Sequence, residues 1–211
     1  CGGSGKSTFA ERIRDGLSCS CEIMRLDCYY FDQGGKPFEE RTKVNYDSPE
    51  IFDFDEMLAD IRLLLDGKPV TRKGYNYAEH RRDDSEELMY PPEVLIIEGI
   101  HVFYDDRICD IMNLKLFIKV DSDICLLRRI ARDMNERGRS LESISEQYKA
   151  TVKPMREKYI DKYIDKADVV VMRGGMNEQA LKTTISYLKS CVKEQRSAES
   201  EKNESDGNDS E

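Results

Sequence analysis

Short apolar runs alternate with amphipathic stretches along this chain, a pattern that predicts an α/β protein with a mainly parallel sheet. Thr8 to Leu17 reads as a helix, with apolar positions at Phe9, Ile13 and Leu17. Cys21 to Asp27 reads as a strand ending in the polar turn Asp27-Cys28-Tyr29-Tyr30. Phe52 to Leu65 has helical spacing at Phe54, Leu58, Ile61 and Leu65, and Asp66-Gly67 stops it. Pro69 to Tyr90 is polar and aromatic without a strong period, and is expected to form a protruding hairpin. Glu93 to Gly99, built on Val94-Leu95-Ile96-Ile97, is the clearest buried strand.

Leu114 to Val120 supplies another strand, followed by a helix from Ser122 to about Glu136. Leu141 to Tyr163 is long and charged, one helix or two with a bend at Pro154. Ala167 to Met172 predicts a further strand, and Asn177 to Val192 a closing helix. From Arg196 to Glu211 the chain holds six carboxylates, two basic residues and no aliphatic larger than Ala198. Such a segment buries too little apolar surface to offset its ordering entropy. One domain is therefore expected over 1–194, with an acidic disordered tail over 195–211.

The chemistry starts at the first residue. Cys1-Gly2-Gly3-Ser4-Gly5-Lys6-Ser7 fits the last seven positions of the phosphate-loop pattern G-x-x-x-x-G-K-[ST]. Glycines let successive backbone N–H groups turn around a phosphate. Lys6 then reaches the β- and γ-phosphates, the Ser7 hydroxyl can ligate Mg²⁺, and the helix that opens at Ser7-Thr8 favours the anion at its positive end. A phosphate loop normally hangs from a central strand, and none precedes Cys1. The chain thus reads as a fragment lacking its first strand, in a sheet of about five strands with that one included.

Strand C-termini line the crevice of open α/β sheets, so carboxylates there are functional candidates. Asp27 and Glu98 each end an apolar strand. Phosphoryl transfer to a hydroxyl needs Mg²⁺ and a base for the attacking oxygen. Glu98 takes the metal position, acting directly or through water, and Asp27 is the base. Either residue alone would serve equally well as a cap or turn. Arg128, Arg129, Arg132, Arg137 and Arg139 form a cluster broken by Gly138, and are expected to fold over a bound phosphate as a lid.

Composition narrows the partners. The net charge of −9 across 211 residues argues against nucleic acid. No run of about 18 apolar residues occurs, so no membrane span is expected. The seven cysteines are scattered and odd in number, with no C-x-x-C pair, which suggests reduced thiols in a cytoplasmic protein. Cys19-Ser20-Cys21 is too isolated to hold a metal.

Taken in order, the motifs resemble the uridine kinase (uridine–cytidine kinase) family up to about Leu188. The resemblance rests on Gly5-Lys6-Ser7, Asp27-Cys28-Tyr29-Tyr30, Pro37-Phe38-Glu39-Glu40-Arg41, Asn45-Tyr46-Asp47-Ser48-Pro49 and Tyr75-Asn76-Tyr77-Ala78-Glu79-His80. It continues through Ile97-Glu98-Gly99-Ile100, Arg128 to Asp133, Glu136-Arg137-Gly138-Arg139, Gln147-Tyr148, Val152-Lys153-Pro154 and Arg173-Gly174-Gly175. It implies a P-loop kinase-like sheet flanked by helices, with the hairpin for nucleoside binding and the arginine-rich lid.

The resemblance further implies phosphorylation of uridine and cytidine at the 5′-hydroxyl by ATP or GTP with Mg²⁺, by a homo-oligomer, a tetramer. By the same resemblance Asp27 is the base toward the 5′-hydroxyl and Asp47 holds the ribose hydroxyls. Tyr75 and His80 contact the pyrimidine edge, and Tyr77 packs on the base. Arg129, Arg139 and Gln147 lie on the substrate side, with Arg132 and Arg137 near the phosphates. Read alone, Tyr75-x-Tyr77-x-x-His80 suits hairpin packing better than a ligand.

The chain departs from the family at Gly2-Gly3-Ser4-Gly5, where Gly-Ser-Gly-Ser-Gly is usual, and at Lys73, Met172 and Met176. Alternatives are a phosphoribulokinase- or nicotinamide riboside kinase-type enzyme using the same loop, and a nucleotide-binding module without turnover.

Overall fold

A computed structural model describes residues 2–77 and 79–208. Helix α1 (Lys6–Gly16) follows the glycine loop directly and buries Phe9, Ala10 and Ile13. Strand β1 (Cys21–Arg25) comes next. Beyond it Leu26–Tyr29 coils into a 3-10 turn, so the strand expected to reach Asp27 ends two residues earlier. Helix α2 (Phe54–Leu65) starts where the Asp53 side chain accepts from Glu56 N at 2.9 Å. It stops at Asp66-Gly67, with Gly67 at φ 76°.

The expected hairpin is formed by β2 (Val70–Asn76) and β3 (Arg81–Met89), antiparallel, with Val70 opposite Met89 and Asn76 opposite Arg81. Strand β4 (Val94–Glu98) then lies parallel to β1, Arg25 facing Glu98 across the ladder. Strand β5 (Leu116–Lys119) lies parallel to β6 (Val169–Met172). Parallel neighbours need long crossovers, and both pairs have them. The first runs through α2 and the hairpin. The second runs through helix α3 (Ser122–Arg137) and the helical segments that follow.

Two faces carry the core. Phe54, Met57, Leu58, Ile61 and Leu64 of α2 pack on Met24, Leu26, Tyr29 and Ile108. Phe9 and Ile13 of α1 pack on Val171 and on Leu181 of the last helix. Among the described residues, the pairs β1–β4 and β5–β6 do not hydrogen-bond to one another. An apolar cavity of about 980 Å³ separates them, lined by Phe9, Ile13, Ile96, Leu116 and Ile118 among others.

Two further stretches differ from the pattern-based expectation. The Leu141 to Tyr163 stretch divides into α4 (Leu141–Gln147), a π-helical turn (Tyr148–Val152) and α5 (Lys153–Lys158), with a 3-10 turn at Ile160–Lys166. Pro154 has no N–H and its ring crowds the carbonyl of Ala150, so the irregularity falls on the turn before it rather than at Pro154 itself.

The closing helix α6 (Glu178–Asn208) passes Val192 and runs into the acidic segment expected to be disordered. Asn177 Oδ1 accepts from Ala180 N at 3.2 Å, which caps its start. Beyond Val192 no proline interrupts a run in which Glu and Lys recur, and Arg196 Nε meets Glu93 Oε1 at 2.6 Å. Cys1, Ala78 and the last three residues of the acidic segment lie outside the described residues. Among those described, no helix is long and apolar enough to cross a membrane.

Candidate active site

Gly3 and Gly5 both take φ 86°, a backbone region closed to most side chains, and this turns the loop into the start of α1. A Cβ on Gly3 would stand 2.6 Å from Cys125 O, so the approach of α3 also requires glycine there. Gly175 N donates to Ser4 O at 3.3 Å, closing the loop against the Arg173-Gly174-Gly175 turn. Ser4 is fully buried, and its Oγ has no hydrogen-bond partner among the described residues. Thr8 is exposed on the first turn of α1.

Ser7 Oγ donates to Glu98 Oε1 at 3.0 Å, bringing the first turn of α1 onto the end of β4. The Glu98 side chain is 12% exposed, and burial pushes its carboxyl above the usual carboxylate range. The Asp27 charge adds to that rise, while Lys6, the Ser7 hydrogen bond and Arg25 oppose it. A buried carboxylate beside a hydroxyl suits Mg²⁺, a hard ion that takes few protein oxygens and completes its shell with water and phosphate. Ser7 and Glu98 therefore fit the ion expected of them.

Asp27 sits in the 3-10 turn after β1, where its Oδ2 accepts from Tyr77 Oη at 2.5 Å. Burial and the nearby Asp27 charge raise the Tyr77 phenol above its ordinary value, so it keeps its proton and is the donor. The Arg137 guanidinium lies 4.6 Å from the centroid of the Tyr77 ring. Tyr75 stands edge-on to Tyr77 at 5.2 Å and tilts against Tyr30 at 4.6 Å. His80 adopts φ 51°, uncommon outside glycine, and stacks on Tyr46 at 5.1 Å. Burial and the neighbouring Arg139, Arg41 and Arg137 lower its pKa.

The arginine cluster has an organising carboxylate that sequence reasoning passed over. Asp133 is fully buried, with Arg132 Nη2 at 2.8 Å, Arg137 Nη1 at 3.4 Å, Arg129 Nε at 3.5 Å and Arg139 Nη1 at 3.9 Å. Gly138, at φ 61°, ends α3 and turns Arg139 back so that its N–H donates to Asp133 O at 3.1 Å. Gln147 Oε1 accepts from Arg129 Nη2 at 2.9 Å and from Arg139 Nη1 at 2.5 Å. Arg129 Nη1 lies 3.7 Å from Asp47 Oδ1, and a Cβ on Gly2 would stand 3.5 Å from the same nitrogen. Thr151 Oγ1 donates to Asp47 Oδ2 at 3.1 Å.

The contacts thus form one chain of neighbours: phosphate loop, Arg129, Asp133, Arg137, Tyr77 and Asp27, with Asp47 and Gln147 on Arg129. Asp27, Glu98, Asp47, Tyr75, Tyr77, Arg129, Arg132, Arg137, Arg139 and Gln147 all stand in or against that chain, and His80 reaches it through Tyr46, which packs near Tyr75. Arg128, expected in the lid, reaches the phosphate loop, and three more residues, Thr151, Asp133 and His101, belong here and were not singled out. Arg128 Nη1 donates to Gly3 O at 3.4 Å. Thr151 and Asp133 hold Asp47 and the arginines. His101 Nε2 lies 2.8 Å from Asp47 O. Asp133 was already visible inside the arginine run, whereas a lone threonine and histidine carry no pattern.

Residues 1–180 match the model of the Phosphoribulokinase / Uridine kinase family. A uridine kinase of Ligilactobacillus salivarius is 41% identical over 192 residues, covering 90% of each chain. A uridine kinase of Streptococcus pyogenes serotype M5 is 42% identical over 193 residues, 91% of this chain and 93% of the relative. Among solved structures, a putative fructose transport system kinase from Silicibacter sp. TM1040 superposes with a TM-score of 0.56. It is 21% identical, spans 80% of this chain and 84% of its own, and shares the fold. The chain belongs to the phosphoribulokinase/uridine kinase family.

Proposed function

We propose that this family member transfers the γ-phosphoryl group of ATP or GTP to the 5′-hydroxyl of uridine or cytidine, giving UMP or CMP. The observation that carries the reading is the 2.5 Å contact between Tyr77 and Asp27. It sets the hairpin expected to read the base directly on the carboxylate expected to take the hydroxyl proton. The uridine kinase relatives support the same substrate class.

In this reading Gly2, Gly3, Ser4, Gly5, Lys6 and Thr8 hold the triphosphate, with Ser7 and Glu98 placed for Mg²⁺. Mg²⁺, held by Ser7 and Glu98, would spread the charge of the transferring phosphate. Asp27 accepts the 5′-hydroxyl proton as that oxygen bonds to the γ-phosphorus, and the bond to the β–γ bridging oxygen breaks to release the nucleoside diphosphate. Asp47 accepts hydrogen bonds from the ribose hydroxyls. Tyr75 and His80 face the pyrimidine edge, and Tyr77 packs on the ring. Arg129, Arg139 and Gln147 line the nucleoside side, and Arg132 and Arg137 close over the transferring phosphate as a lid. The reading includes a cytoplasmic homo-oligomer, a tetramer by family resemblance, whose partners are small molecules rather than nucleic acid or membrane.

A panel of acceptors tests it. Uridine and cytidine should be turned over, and adenosine, guanosine, ribulose 5-phosphate and nicotinamide riboside should be poor acceptors, because a fixed polar edge leaves groups unpaired when the wrong ring enters. Preference for a purine nucleoside or for a sugar phosphate would overturn the reading, and nucleotide binding with no turnover of any acceptor would favour a non-catalytic module.

A further inference from the structure

His101 is fully buried and stands three residues beyond Glu98, past the end of β4. Its Nε2 is 2.8 Å from Asp47 O, and its Nδ1 is 2.8 Å from Tyr163 Oη. A carbonyl oxygen has no proton to give, so Nε2 carries the hydrogen and donates. In the neutral ring Nδ1 is then an acceptor, and the Tyr163 hydroxyl donates to it.

The surroundings favour the neutral ring. Phe52, Tyr104, Tyr159 and Tyr163 pack around it, with ring centroids between 5.9 and 6.5 Å away. Burial pushes the imidazole down to about 4; the hydrogen bond to Asp47 opposes that fall and the Lys6 charge adds to it.

We infer that His101 is a positioning residue for nucleoside recognition: held by Tyr163, it fixes the backbone of Asp47 and so the carboxylate above it. Asp47 needs such a support because residues 45–48 form no helix or strand. Thr151 and Arg129 hold the two carboxylate oxygens, and His101 holds the carbonyl of the same residue. The strand end that presents Glu98 to the phosphate loop thereby also sets Asp47, which ties the distance between the two ends of the site to β4. The inference rests on the proposed role of Asp47 at the ribose.

The test separates the two. Glutamine carries an amide N–H where histidine has Nε2, whereas asparagine reaches only the Nδ1 position, and leucine reaches neither as a polar group. His101→Leu and His101→Asn should raise the nucleoside KM about tenfold, while His101→Gln stays within about twofold of the parent. The KM for ATP and kcat should change less than about threefold in all of them. Tyr163→Phe, the milder change, should raise the nucleoside KM about threefold. Asparagine performing as well as glutamine, or kcat and the KM for ATP moving with the nucleoside KM, would overturn the positioning role and leave a core histidine.

Asp47→Asn in the same assay reports on the ribose reading. An unchanged nucleoside KM there would mean that the ribose role has failed. The geometry is read without substrate by ¹⁵N NMR of the imidazole, where the Nε2–H tautomer is expected at pH 7. An Nδ1–H tautomer or an imidazolium would overturn the hydrogen bond itself.

Discussion

The Tyr77 hydroxyl donates to Asp27 Oδ2 at 2.5 Å, so the hairpin and the strand end meet at the carboxylate assigned as the base. An incoming 5′-hydroxyl needs that same oxygen, and Tyr77 must give it up. Tyr77→Phe keeps the ring and removes the competitor. The nucleoside KM should fall about threefold to fivefold, the worth of one exposed hydrogen bond, with kcat within about threefold of the parent. Steady-state kinetics with uridine check this, and a kcat loss beyond about tenfold would mean that the phenol itself takes part in the chemistry.

Ser7 and Glu98 should govern the metal requirement together. Ser7→Ala and Glu98→Gln should each raise the Mg²⁺ concentration for half-maximal turnover about tenfold or more, with Ser7→Ala partly relieved by excess Mg²⁺. Chelation should abolish turnover by the parent. A Mg²⁺ titration that superposes for parent and variants would remove both residues from the metal site.

Asp133 gives four arginines a shared counter-charge from a fully buried position. Asp133→Asn leaves those guanidiniums facing one another, and stability should fall by about 2–3 kcal/mol, less than for a wholly buried pair because the arginines are partly exposed. Urea unfolding measures this, and an unchanged midpoint would show that the arginines hold without it.

Both histidines have pKa values lowered in the fold, so acid should weaken it in a defined window. Below pH about 6.5 the unfolded chain binds protons that the folded one refuses, and stability is lost as pH falls toward the folded value near 4 for His101. His101→Gln should remove up to about 3 kcal/mol of that dependence. Urea midpoints at pH 7 and pH 5, parent against variant, check it. An identical pH dependence in the two would place the acid sensitivity elsewhere.

Among the described residues, periodicity located every parallel strand because each carries a short apolar stretch bounded by polar turns, as in Val94 to Ile97. It placed Glu98 at the end of β4 for the same reason, whereas Asp27 falls two residues past the end of β1. Boundaries moved where backbone chemistry overrode the side-chain pattern: Leu26-Asp27-Cys28-Tyr29 coils into a 3-10 turn, and the turn before Pro154 widens. The helix into the acidic segment was missed because composition weighs burial, whereas Glu, Lys and Arg also carry helix propensity of their own. His101 and Thr151 were invisible because their partner, Asp47, is brought to them only by the fold.

The measurement that tests the account most directly is the turnover of Asp27→Asn with uridine and ATP. Asparagine keeps the shape of the side chain and removes the proton acceptor. If Asp27 is the base, kcat should fall about 10²–10⁴-fold while the KM for uridine changes little. Near-parental kcat in a folded Asp27→Asn protein would contradict the assignment on which the site is built.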